Sequence, residues 1–298
     1  MRTPALLICV SIVTSQGLAD EINSPGCGVT RPIGRIYNGK KIGRIYQPWM
    51  VHIKASFMIT LSPTSSRLET HNCGGSILSP RFILTAAQCV GTGNHRAVDV
   101  SVSYNTTHLR KGSYPPVEDF KAHPDYGKCR NGYDIALIKL KEPLDFDQFV
   151  RPICLPTHQV HLTNKDAFVA GWGLTSEVTI PQWIYYFKTK IVPFHYCRRA
   201  YAALLKEDAA GSAELVCTQA EYQSICYGDA GGPLTIWQGK RQRYLQVGIV
   251  SFGDMSGRCS NLHSLNGFTR VSYFVPWIRR MVQEEWGTSE EDISSDYK

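Results

Sequence analysis

The chain has 298 residues, 43% of them hydrophobic and 19% charged, and a formal net charge of +7. That is ample apolar material for one large or two small globular cores, yet no stretch approaches the ~18 apolar residues of a membrane span. It contains no Gly-rich phosphate loop, nucleic-acid motif or metal-ligand spacing of Cys and His, so no cofactor, metal or nucleic acid is expected.

The chain opens with Met1-Arg2, an apolar run from Leu6 to Val13, and small residues ending in Gly17-Leu18-Ala19. A charged start, a short apolar middle and a small-residue end make residues 1–19 a secretory signal peptide. The ten cysteines agree, since an extracellular chain keeps its disulfides. Losing Cys9 with the leader leaves an odd number, which implies a spare thiol or an intermolecular bridge. Residues 20–35 contain Cys27, two prolines and little hydrophobic pattern, and read as a linker or pro-segment. At the other end, residues 283–298 hold six acids against one base, a tail of −5 that is expected to be disordered. With Arg2 also removed, the body before that tail carries +11. Such a body attracts sulfated glycans, anionic lipid or acidic proteins, although a merely soluble basic surface has the same composition. Asn105-Thr106-Thr107, in a polar stretch, is a candidate N-glycosylation site.

From Met50 onward, short β-rich runs alternate with Gly, Pro, Asn and Ser clusters. Val51-His52-Ile53-Lys54 alternates, Ser76-Ile77-Leu78 and Phe82-Ile83-Leu84-Thr85 flank a Ser-Pro turn, and Val98 to Tyr104 alternates again. Ala136-Leu137-Ile138, Ala167 to Ala170, Leu234 to Trp237 and Leu245 to Val250 follow. Between the last two, Lys240-Arg241-Gln242-Arg243 forms a basic hairpin. Strands this short and this frequent argue an all-β barrel or sandwich. Only the end is helical: Ser272 caps a segment from Tyr273 to about Trp286, with Trp277, Ile278, Met281 and Val282 at helical spacing.

Four motifs then appear in a telling order. Arg35-Ile36-Tyr37-Asn38-Gly39 leads to Pro48-Trp49. Cys73-Gly74-Gly75-Ser76 precedes Leu84-Thr85-Ala86-Ala87-Gln88-Cys89. Tyr133-Asp134-Ile135-Ala136-Leu137 is third, and Cys226-Tyr227-Gly228-Asp229-Ala230-Gly231-Gly232-Pro233 is fourth. Together they resemble the chymotrypsin/trypsin-like serine proteases across residues 36–282. The resemblance implies an all-β fold of two six-stranded antiparallel β-barrels with a C-terminal helix and a cleft between the barrels.

It also implies roles for single positions. Gln88 stands where the family has the histidine that takes the nucleophile's proton, and an amide does not titrate usefully. Ala230 stands where the family has the nucleophilic serine, and a methyl group cannot form an acyl-enzyme. Asp134 matches the triad aspartate. Its carboxylate is held either by the Gln88 amide or only by Ser251 and nearby backbone N–H groups. Gly228 and Ala230 keep the oxyanion-hole N–H groups, which need only backbone. Asp229 is expected to pair with the Ile36 ammonium once the chain is cut after Arg35.

Ser224 matches the floor of the specificity pocket and Gly253 one wall. The opposite wall falls on Asn266, whose side chain would narrow or block the pocket, unless a one-residue shift restores Gly267. The family's pattern pairs Cys73 with Cys89, Cys197 with Cys217, Cys226 with Cys259, and Cys27 with Cys154. Another family bridge would join the positions of Ala167 and Ile236, where both cysteines are absent. Cys129 is left over, as a free thiol, an intermolecular bridge, or a rival for Cys27.

The expectation is a secreted, zymogen-like serine protease homologue, a glycoprotein without catalysis. It would bind a protease, inhibitor or other component of a proteolytic cascade as cofactor, decoy or competitor. Two other classes remain open: an active endopeptidase with a rewired site, and a glycan- or surface-binding protein using the basic body.

Overall fold

β-Branched and aromatic runs of four to eight residues bury one face each, and such faces are satisfied only by pairing and curling around a core. The computed structural model describes residues 22–30, 47–62, 65–92, 95–127, 132–175, 180–202, 213–253 and 264–283. The first half contains β1 (Met50–Ser62), β2 (Ser65–Ile77), β3 (Phe82–Thr85), a minor pair β4 (Gly91–Thr92) and β5 (His95–Arg96), then β6 (Asp99–Ser103), β7 (Val117–Ala122) and β8 (Ala136–Leu140). Six of these form a sheet in the order β6-β1-β2-β3-β8-β7, whose end strands β6 and β7 approach one another. The second half contains β9 (Asp166–Gly171), β10 (Tyr185–Val192), β11 (Leu215–Ala220), β12 (Pro233–Gln238), β13 (Arg243–Phe252) and β14 (Ser264–Arg270). These close completely, in the order β10-β11-β14-β13-β12-β9. The expected pair of six-stranded antiparallel barrels is what forms.

Each barrel has its own core. Trp49, Ile53, Phe57, Ile83 and Leu137 fill the first, and Val169, Leu234, Val247 and Phe268 the second. A buried hydrogen bond links the barrels, from Ser76 Oγ to Gln246 Oε1 at 2.7 Å. Ala167 and Ile236, the positions without the extra bridge, contribute apolar side chains to the second core instead.

The terminal helix α2 spans Val271–Gln283, and its Phe274, Val275, Trp277, Ile278 and Val282 pack into the first barrel's core. It begins earlier than expected, so Ser272 lies inside the first turn rather than ahead of it. A second helix, α1 (His195–Ala200), is six residues long. That is too short to leave a periodic signal in sequence.

Residues 22–30 are bound to the body rather than strung along it. Ile22 enters the first core. Asn23 bridges Leu155 twice, donating from Nδ2 to its carbonyl at 3.1 Å and accepting its N–H at 2.7 Å. Gly28 N–H donates to Pro152 O at 2.8 Å, and Tyr244 N–H donates to Gly28 O at 2.7 Å. The Cys27–Cys154 disulfide closes the attachment, and Cys73–Cys89 and Cys197–Cys217 also form as expected. Cys226 is disulfide-bonded. Cys259, its expected partner, lies outside the described residues, as do Cys129, Arg35, Ile36 and the expected leader and acidic tail.

Candidate functional site

Gln88 is carried by a single 3₁₀ turn, Ala87–Cys89, pinned by the Cys73–Cys89 bridge. That turn aims two donors of one residue at one carboxylate. Gln88 N–H donates to Asp134 Oδ1 at 2.9 Å, and Gln88 Nε2 donates to Asp134 Oδ2 at 2.5 Å. Nε2 also donates to Ser251 O at 2.7 Å, while Ser251 Oγ donates to Asp134 Oδ2 at 2.6 Å. The Gln88 amide therefore does hold Asp134, and Ser251 holds it as well rather than alone. Asp134 is only 2% exposed. Burial raises its pKa above the ordinary carboxylate value, against the pull of these hydrogen bonds. Tyr126 lies nearby, its pKa raised by burial and then by the Asp134 charge.

The loop Cys226–Pro233 sits between β11 and β12, with its carbonyls and amides divided between the barrels. Ala230 O accepts Gly74 N–H at 2.7 Å, and Gly231 N–H donates to Val250 O at 2.9 Å. Among the described residues the N–H groups of Gly228 and Ala230 donate to no partner. Asp229 turns away from them into a cradle formed by Gly171 and Gly173. A Cβ at either glycine would fall within 2.2 Å of a carboxylate oxygen, so no other residue fits there. Asp229 Oδ1 accepts Gly173 N–H at 2.8 Å and Oδ2 accepts Cys226 N–H at 2.9 Å. No Lys, Arg or His among the described residues forms an ion pair with it. Burial accordingly raises its pKa to about 6. A cavity of about 170 Å³ reaches this carboxylate between Ser224, Tyr222 and Tyr185.

Ser224, Gly253 and Asn266 come together. Asn266 is fully buried, and its Oδ1 accepts Ser224 Oγ–H at 2.8 Å and Ile225 N–H at 3.3 Å. Gly267 instead lies beneath the Phe252 ring, so Asn266 is the residue that faces Ser224 and Gly253. Ile225 was not singled out by sequence reasoning, yet its side chain abuts Gly253. Its adjacency to Ser224 was the only available signal.

A larger cavity of about 630 Å³ contains Gln88, Asp134, Gly228 and Ala230 in its lining. Trp172, Leu174 and Ile180 form an apolar wall on one side. That wall is braced against the first barrel: Trp172 Nε1 donates to Thr107 O at 3.2 Å, Ile184 N–H to the same carbonyl at 2.9 Å, and Leu109 N–H to Gln182 O at 2.8 Å. His71 also lines the cavity, half-exposed and 3.7 Å from Glu69. His123 packs among Tyr133, Phe274 and Trp277, away from the cavity lining. Asn105, at φ 56°, is partly exposed. Among the described residues, no three His, Cys, Asp or Glu side chains converge as metal ligands.

Two antiparallel barrels, with an Asp134 network and a Gly228–Ala230 loop meeting at a shared cleft, define a chymotrypsin-like protein. Residues 36–278 match the family described as Trypsin, and the chain belongs to the trypsin-like serine protease family. Serine proteinase stubble of Drosophila melanogaster is 33% identical over 270 residues, covering 86% of this chain and 32% of that protein. Tryptase of Mus musculus is 28% identical over 271 residues, covering 88% and 93% respectively. Ovochymase of Halocynthia roretzi is 29% identical over 260 residues, 82% of this chain but 15% of that protein. The chain thus spans a minor part of stubble and ovochymase, and nearly the whole length of the tryptase.

Proposed function

We propose that this is a non-catalytic member of the family that acts by binding a protein in a proteolytic cascade, as cofactor, decoy or competitor. The carrying observation is the double commitment of Gln88 Nε2, to Asp134 Oδ2 at 2.5 Å and Ser251 O at 2.7 Å, beside the Ala230 methyl. At these two positions there is no hydroxyl to attack and no imidazole to accept its proton. In subtilisin, loss of the nucleophile or base alone costs about 10⁶ in turnover. Secretion through a removed leader is part of the reading, and the disulfides support it, because such bridges persist in oxidising compartments. No helix among the described residues is long and apolar enough to cross a membrane.

The test is fluorophosphonate labelling of protein cut after Arg35. No adduct is expected; a covalent adduct on any side chain would establish a rewired nucleophile and defeat the reading. A second, weaker reading rests on the β12–β13 tip, where Lys240 and Arg241 are exposed near exposed Trp237. A cationic tip of this kind suits a sulfated glycan. Salt-sensitive retention on heparin, lost when Lys240 and Arg241 are neutralised, would support it.

A further inference from the structure

The side pocket of the cleft is filled from within the protein. A methyl group placed on Gly253 would lie 2.7 Å from Ile225 Cγ1 and 3.2 Å from Asn266 Oδ1, closer than ordinary van der Waals contact. The Asn266 amide cannot easily swing aside, since it is fully buried and its oxygen takes two hydrogen bonds, from Ser224 Oγ and Ile225 N. The large cavity accordingly passes Ile225 and Gly253 but includes neither Ser224 nor Asn266 in its lining. Its remaining volume extends instead toward Thr70, His71 and Asn72 at the root of the β1–β2 hairpin, facing the wall of Trp172, Leu174 and Ile180.

Three further properties describe what fits. Gly228 and Ala230 offer N–H groups with no partner among the described residues. β2 pairs with β3 at Ser76 and Ile77, so among the described residues it bonds along Thr70–Asn72 to β1 on one side and presents a strand edge on the other. An extended main chain satisfies both features, with a carbonyl at the N–H pair and further backbone groups along the edge. Among the described residues no Lys, Arg or Glu lines the cavity, and Asp134 is already occupied by Gln88 and Ser251. The described lining thus offers a charged side chain no free opposite charge.

Resting on the non-catalytic reading, we propose that the cleft holds an extended peptide segment of a partner protein. That segment carries glycine, alanine or serine where it crosses Ala230, with apolar side chains following against Trp172, Leu174 and Ile180. Ile225 and Asn266 are the specificity-determining residues, excluding large aromatic and basic side chains alike.

The test uses fluorescein-labelled decapeptide pools with glycine, alanine, phenylalanine or arginine at the fifth residue. Leucine occupies the sixth and seventh residues, and the other positions are randomised. Fluorescence anisotropy is measured against the full secreted chain. Glycine and alanine pools are expected to bind at least tenfold more tightly than phenylalanine and arginine pools. Asn266→Gly opens the slot and should improve the phenylalanine pool at least tenfold relative to the glycine pool. Asn266→Ala, a smaller backbone perturbation, provides the same comparison should the glycine variant fail to fold. Equal binding of phenylalanine and glycine pools to the unmodified chain, or no gain in a folded variant, overturns the assignment. So does the absence of binding by every pool. Mass spectrometry of the same mixtures separates the two readings: cleaved peptide would defeat the non-catalytic reading while the ranking of the pools still judged the pocket.

Discussion

Asp229→Asn in the uncut chain should stabilise the protein at neutral pH and lose that advantage in acid. Burial raises the Asp229 pKa from 3.8 to about 6, so the folded state at pH 7.5 carries an ionised carboxylate at a cost of about 3 kcal/mol. Asparagine removes that cost but cannot accept both backbone N–H groups, from Gly173 and Cys226, and gives up about 1 kcal/mol for the one lost. The net gain at pH 7.5 is about 2 kcal/mol. Because the folded pKa is raised, the contribution of Asp229 is fully present below about pH 4 and is lost as pH rises through about 6. At pH 4 the variant should therefore be no more stable than the parent.

His52 acts in the same window with the opposite sign. Burial lowers its pKa from 6.5 to about 4, so the unfolded chain takes up the proton first. Its contribution is present above about pH 6.5 and is lost as pH falls through about 4, again about 3 kcal/mol. The two slopes offset one another in the parent, and removing Asp229 leaves the His52 slope without that counterweight. Urea unfolding at 25 °C with the disulfides intact, followed by tryptophan fluorescence from pH 4 to pH 7.5, measures both. A variant destabilised equally at pH 4 and pH 7.5 would refute the reasoning, because hydrogen bonding and not burial would then govern this carboxylate.

Other substitutions probe the remaining links. Gln88→Leu leaves Asp134 without its 2.5 Å amide donor and should cost about 1–3 kcal/mol, read as a lower urea midpoint; an unchanged midpoint would mean that Ser251 and the backbone suffice. Gln88→His with Ala230→Ser, cut after Arg35, should acquire fluorophosphonate labelling and weak hydrolysis confined to peptides with a small residue at the cleaved position. A folded double variant that neither labels nor cleaves would place the defect in the cleft as a whole. The β9–β12 register pairs Leu234 with Val169 and Thr235 with Phe168, and continued by one residue it sets Ile236 opposite Ala167. Ala167→Cys with Ile236→Cys should therefore close a bridge across strands about 4.5–5.5 Å apart, detectable as a loss of 2 Da, with thiols that remain free counting against the register.

The parts of this protein that were legible in sequence are those in which a local motif and a structural job coincide. Gln88 is flanked by Cys89, and Asp134, Gly228 and Ala230 sit in runs of fixed composition, so position could be assigned without knowing the fold. The all-β class followed from strand-length apolar runs such as Phe82–Thr85 and Leu245–Val250. The long β1–β2 hairpin did not show itself, because beyond Lys54 its register from Ser56↔Thr70 to Thr60↔Ser66 pairs polar and apolar residues with little alternation. β10 was hidden for a related reason: in Tyr185–Val192 only Thr189 and Ile191 are fully buried. Of the anchoring of residues 22–30, the Cys27–Cys154 bridge was legible, but Ile22, Asn23 and two backbone hydrogen bonds, which complete it, have no periodic signature. The plugging of the side pocket by Ile225 needed coordinates, since an isoleucine beside Ser224 can point either way.

Two buried aspartates, Asp134 in the lining of the cleft and Asp229 behind it, are in contrasting states, and the contrast leads to a final prediction. Asp134 is surrounded by donors from Gln88 and Ser251. Asp229 has only two backbone N–H groups and no cationic partner among the described residues. The unbalanced charge is thus concentrated on the residue between Gly228 and Ala230, the two groups proposed to hold the partner peptide. An Ile36 ammonium freed by cutting after Arg35 would neutralise that charge and favour the loop geometry in which both N–H groups face the cavity. Peptides with a small fifth residue should then bind the cut chain at least fivefold more tightly than the uncut chain, and Asp229→Asn should erase the difference. Equal affinities for cut and uncut protein, with cleavage verified by N-terminal sequencing, would show that Asp229 and the cleft are energetically independent.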